Sequence, residues 1–150
     1  MAASHTCEVD PETGEVALDR YTVVDDVGFA INPLLAKGQI MGGVIQGVGQ
    51  ALSEDVVYGP DSGQLLTGTL TDYAIPRATH CRGVTVDFGP VPSTTNPLGA
   101  KGVGEGGTVA STPTVMNAIL DALFPARRHR RGDARHPRAI WRALHEHAER

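Results

Sequence analysis

Five glycines, Gly38, Gly42, Gly43, Gly47 and Gly49, fall within a stretch whose apolar residues recur at helical spacing. A glycine inside a helix costs about 1 kcal/mol relative to alanine. A helix carrying this many must be held by something that approaches closer than side chains would allow. The helix is expected from Leu34 to about Asp55, with Pro33 suited to its first turn. One stripe runs through Leu35, Gln39, Gly42/Gly43, Gln46, Gly49/Gln50 and Ser53, and a second through Ile40, Val44, Ile45, Val48 and Leu52. Two kinds of neighbour satisfy the glycines, another backbone or a ligand, and the residues alone leave both open.

The remaining pattern is of short strands. Cys7–Asp10 and Glu15–Asp25 read as a hairpin around the turn formers of 10–14. Val56–Tyr58 and Gln64–Leu66 read as strand, turn, strand, and Thr69–Ala74 and Gly83–Phe88 as further extended pieces. Thr108–Leu123 carries apolar residues at helical spacing, with Pro113 expected in its first turns, and Arg138–His147 resumes a helical pattern. The expected class is α+β.

Charge divides the chain near Pro125. Residues 1–125 hold five Lys/Arg against 14 Asp/Glu, whereas residues 126–150 hold eight Arg against three acids. Three segments are therefore expected: 1–125, an Arg-rich irregular stretch 126–137, and a short helix in 138–150. The Arg-rich stretch lacks aromatic residues to stack on bases, which favours a solvated tail over a nucleic-acid arm. Two cysteines, Cys7 and Cys81, cannot build a disulfide framework, and no apolar run reaches the length of a membrane span. A reduced, cytoplasmic setting is expected. His145-Glu146-His147 lacks the i, i+4 spacing of a zinc helix, and no metal-ligating set is expected.

The segment 96–108, Asn-Pro-Leu-Gly-Ala-Lys-Gly-Val-Gly-Glu-Gly-Gly-Thr, is the densest candidate for chemistry. Gly102, Gly104 and Gly107 match G-x-G-x-x-G, but Pro-rich loop precedes them and no acid stands about 20 residues on, so a dinucleotide fold is rejected. A glycine run ending at a helix start still offers free amides and a positive dipole end to an anion. Lys101 adds a charge, and Glu105 is the odd member, a carboxylate with no side-chain cover from its flanking glycines. Two roles are open to it: a charge that stabilises the helix start, or a working base.

The blocks Glu8–Val16, Asp25–Gly28, Ile31–Pro33, Gly38–Leu52, Asp72–Pro76 and Asn96–Glu105 occur in this order. Together they resemble the C-terminal part of the molybdopterin-binding large subunit of the xanthine dehydrogenase, aldehyde oxidase and aerobic carbon monoxide dehydrogenase family, the molybdenum hydroxylases. The resemblance covers about residues 5–125. It implies a piece of the second molybdopterin-binding domain: short strands, a long Gly-rich helix, and a second helix after a Gly-rich loop. It implies that Gln46 and Gly47 lie against the pterin, that Lys101, Gly102, Val103 and Gly104 border it through the main chain, and that Glu105 is the catalytic base. It implies molybdenum-molybdopterin in the cytosine dinucleotide form, with FAD and [2Fe-2S] clusters on partner subunits. The substrate would be an aldehyde or N-heterocycle. The chain would be inactive alone, a C-terminal fragment lacking the upstream half of the large subunit. Two rival expectations are a separately encoded subunit active only with that upstream half, and a non-enzymatic binding module using the basic tail. Residues 126–137 depart from the family pattern between two matching stretches, as a local reading-frame slip would produce.

Overall fold

The computed structural model describes residues 1–124 and 137–145. Three strands make one sheet in the order β1-β2-β3: β1 (Ala2–Val9), β2 (Val16–Asp25) and β3 (Val84–Phe88). β1 is antiparallel to β2 and β3 parallel to it. The hairpin closes because the Asp10 carboxylate accepts the Glu12 N–H at 2.8 Å and Gly14 takes a φ of +75°. The register slips where Thr6 pairs with Arg20 but Cys7 pairs with Leu18, leaving Asp19 unmatched. This bulge lets Leu18 join Tyr21 and Val23 on the buried face despite the odd spacing.

Two long helices pack on each other, α1 (Pro33–Leu52) and α2 (Gly106–Leu123), and α2 also lies against β1 and β2. Asn32 caps α1, its side chain accepting the Leu35 N–H at 3.2 Å. The core joins Tyr21 and Val23 of the sheet to Ile40, Val44 and Val48 of α1 and Val115, Ile119 and Leu123 of α2. A short helix, α3 (Pro137–His145), buries Ile140, and a Cβ at Gly14 would run into its Pro137 carbonyl. No helix among the described residues is long and apolar enough to cross a membrane.

The α+β class, both long helices and the hairpin agree with expectation, although β1 begins at Ala2 and α2 at Gly106. Three expectations fail. Val56–Tyr58 and Gln64–Leu66 share only one bridge, Tyr58 to Leu65. Their side chains are largely exposed, and a two-stranded ribbon with no covering layer is marginal. Thr69–Ala74 is a turn rather than a strand: the Tyr73 N–H bonds the Thr69 carbonyl at 2.8 Å and the Thr69 hydroxyl donates to Asp72. Pro113 lies in the middle of α2, not in its first turns. The Arg-rich segment lies outside the described residues, apart from Pro137.

Candidate functional site

The Gly-rich loop is fastened at its base before it becomes bare. Gly28, at φ +61°, forms a bridge with Ala100, and its missing side chain admits the Gly99 carbonyl. The Phe29 N–H donates to Gly99 O at 2.9 Å and the Lys101 N–H to Val27 O at 3.0 Å. Asn96 clamps Ala100 through both amide atoms, donating to its carbonyl at 2.9 Å and accepting its N–H at 3.2 Å. The Lys101 ammonium is paired with Asp26. Its charge is therefore spent within the fold.

Beyond Lys101 the main chain is uncovered. A Cβ built on Gly102 or Gly104 would meet nothing within 4 Å. Among the described residues the N–H groups of 102–105 have no hydrogen-bond acceptor. The loop is tied to α1 at one point, where Gln39 Nε2 donates to Gly104 O at 2.8 Å. Glu105 then opens α2: its carbonyl accepts the N–H groups of Thr108 at 3.1 Å and Val109 at 3.3 Å. Its carboxylate makes no capping bond and is exposed. Its charge stands at the positive end of α2, open to solvent.

The glycine question has a split answer. A Cβ on Gly47 would lie 2.6 Å from Ser111 Cβ, one on Gly43 would lie 3.0 Å from the Thr108 nitrogen, and one on Gly107 would strike the Ile40 carbonyl. These three glycines let α1 and α2 touch by their backbones. Hydroxyls of α2 then stitch the seam: Thr108 donates to Gly43 O at 2.9 Å, Ser111 to Val44 O at 2.7 Å and Thr112 to Gly47 O at 3.1 Å. Gly38 and Gly42 have nothing within 4 Å. Gly47 thus faces α2, whereas its neighbour Gln46 is exposed beside the seam, its amide oxygen 3.2 Å from the Thr108 hydroxyl. Thr108 lies one helical turn after Glu105, so Gln46 and Glu105 flank the same start of α2.

A groove of about 500 Å³ opens where the 27–32 loop, the start of α1 and the Gly-rich loop meet. Lys101, Val103, Gly104 and Gln39 line it together with Phe29 and Leu35, while Gln46 and Glu105 are not among its lining residues. The candidate residues thus divide between a groove (Lys101, Val103, Gly104) and the helix seam beside it (Gln46, Gly47, Glu105), joined through Gly102 and Gly104. Sequence reasoning did not assign roles to Asp26, Gln39 or Thr108. Gln39 and Asp26 lay in quoted motifs, but their partners stand 65 and 75 residues away and only the fold brings them together. Among the described residues no three His, Cys, Asp or Glu side chains gather as a metal site. Bare amides and an exposed side-chain amide fit a large polar, anionic group bound through main chain.

The model of the molybdopterin cofactor-binding domain matches residues 1–82. The nicotine 6-hydroxylase large subunit of Paenarthrobacter nicotinovorans is 38% identical over 118 residues, which is 79% of this chain and 14% of that protein. The carbon monoxide dehydrogenase large chain of Hydrogenophaga pseudoflava is 34% identical over 140 residues, 93% of this chain and 17% of that protein. The structure of quinoline 2-oxidoreductase from Pseudomonas putida 86 superposes with a TM-score of 0.86 at 35% identity, over 93% of this chain and 18% of that one. The chain spans less than a fifth of the length of these relatives. It belongs to the molybdopterin cofactor-binding domain family, in the part that molybdenum hydroxylase large subunits carry.

Proposed function

We propose that this chain supplies the catalytic base, Glu105, and one wall of the molybdopterin site of a cytoplasmic hydroxylase acting on an aldehyde or N-heterocycle. The observation that carries this reading is the Glu105 carboxylate itself: exposed at the start of α2, unused as a cap, between glycines whose amides are bare. The main chain of Gly102, Val103 and Gly104 offers donors to the cofactor, and the Gln46 amide offers a further polar contact across the seam. Gly47 contributes indirectly, by letting α2 come close enough to set Gln46 beside Thr108. Lys101 contributes its main-chain position rather than charge, because its ammonium is held by Asp26. When bound, the molybdenum cofactor supplies the two-electron oxidation. Glu105 takes up the proton that the attacking oxygen loses as it adds to the substrate carbon. A well-placed general base of this kind is worth about 10²- to 10⁴-fold in rate.

In this reading the chain is inactive alone and works with the remaining portion of a large subunit. The cofactor is the cytosine dinucleotide form suggested by motifs of bacterial type, and FAD and [2Fe-2S] clusters sit on partner subunits. The exposed apolar side chains around the groove, Phe29, Ile31, Leu34 and Leu35, support a covering partner. The test is co-expression with the missing portion of a relative's large subunit and its electron-transfer subunits, followed by molybdenum and pterin analysis. The wild-type complex should hold about one molybdenum per assembly, and Gly102→Val or Gly104→Val should lower it while the free chain stays folded. Full cofactor content in both variants would contradict the assigned wall.

A further inference from the structure

The Asp26 carboxylate gathers three segments. Its Oδ1 accepts the N–H groups of Gly28 and Val91, each at 2.9 Å, and its Oδ2 receives the Lys101 ammonium. Its neighbour Asp25 is buried, and a Cβ on Gly106 would lie 2.5 Å from Asp25 Oδ2. Successive side chains at a strand end point to opposite sides. The last residue of β2 and the one after it therefore meet the chain just before and just after Gly102–Glu105. We propose that Asp26, through Lys101, is the positioning residue that fixes the orientation of the Gly102–Glu105 loop, with the buried Asp25 lying close against Gly106 at its far end. The proposal rests on the reading of Glu105 as the base, since it says what aims that residue.

The physical need is plain. Glycines at 102 and 104 leave the loop with few conformational limits of its own, and Gln39 supplies a single tie midway. A base must be held in a narrow range of positions to work. Asp26 is suited to a permanent clip, because the Lys101 ammonium, then the Val91 and Gly28 amides, lower its pKa to about 2. It stays ionised throughout the neutral range.

The test uses isotope-labelled full chain, amide hydrogen exchange and backbone NMR shifts. Asp26→Asn keeps an acceptor oxygen for the Gly28 turn but removes the charge that holds Lys101. It should speed exchange of the Lys101 amide at least tenfold and move the Gly104 and Glu105 resonances, while core amides such as Val23 and Val44 stay within twofold. Lys101→Met should reproduce these changes, and Lys101→Arg should restore the wild-type pattern. Unchanged loop exchange in Asp26→Asn, or acceleration of all amides in step with a fall in global stability, would overturn the proposal. Glu105→Gln should leave loop exchange as it was. A dispensable Glu105 would thus defeat the catalytic reading and leave the clip standing, and the converse also holds.

Discussion

His5 points to the inward side of β1, where its ring lies 5.6 Å from that of the buried Tyr21 and, among the described residues, neither ring nitrogen finds a hydrogen-bond partner. Burial lowers its pKa from the ordinary 6.5, only partly offset by the Arg20 main chain. Above about pH 6.5 the ring is neutral in both states and adds no pH dependence. Below it the unfolded chain takes up the proton first, so stability falls as pH drops until the lowered folded-state value is reached. Urea midpoints compared at pH 7.5 and pH 5 should fall on the acid side in the wild type and fall less in His5→Phe; equal slopes in both proteins would remove His5 as the cause. At this scale the candidate carboxylate was legible from the sequence. Glu105 stood out as a carboxylate among glycines, and the structure leaves it uncapped and exposed. What Lys101 does was not legible, because Asp26 lies 75 residues away and only folding brings them together.

The α1–α2 pair shows what glycines in a helix are for. Gly47 and Gly107 sit where a methyl group would strike Ser111 or the Ile40 carbonyl, whereas Gly38 and Gly42 face open space. Substitution by alanine should therefore have opposite signs on one helix. Gly38→Ala and Gly42→Ala should each stabilise the isolated chain by about 0.5–1 kcal/mol, the ordinary helix gain. Gly47→Ala and Gly107→Ala should each destabilise it by about 1–3 kcal/mol through overpacking. Chemical denaturation of the four variants checks this, and stabilisation at Gly47 would contradict the backbone contact. The periodicity of residues 34–55 was enough to find α1, and its glycine excess was enough to demand a close neighbour. It could not say which glycines met α2, because that depends on how the second helix is rotated and on the hydroxyls of Thr108, Ser111 and Thr112. The stretch 56–74 was misread for the opposite reason: its β-branched and aromatic residues have local strand preference, but no third strand or helix among the described residues covers them.

The whole chain exposes an apolar end. Leu34 is 81% exposed, Leu35 and Ile31 are each 69% exposed, and the last two line the groove beside the Gly-rich loop. By sedimentation velocity the isolated chain should associate at micromolar concentration, and the double substitution Leu34→Gln with Leu35→Gln should shift it toward monomer. A wild-type monomer at high concentration would show that this face needs no cover. At this scale the order of the motifs from residue 8 to residue 105 carried the family, and the domain model matching residues 1–82 agrees with it. The resemblance also implied a C-terminal fragment, and the chain spans less than a fifth of the length of these relatives. The most direct measurement is hydroxylation by the complex containing Glu105→Gln, with molybdenum content determined on the same sample. Loss of turnover by about 10²-fold or more at unchanged molybdenum is the expected result. Retained turnover at full molybdenum content would show that position 105 is not the base.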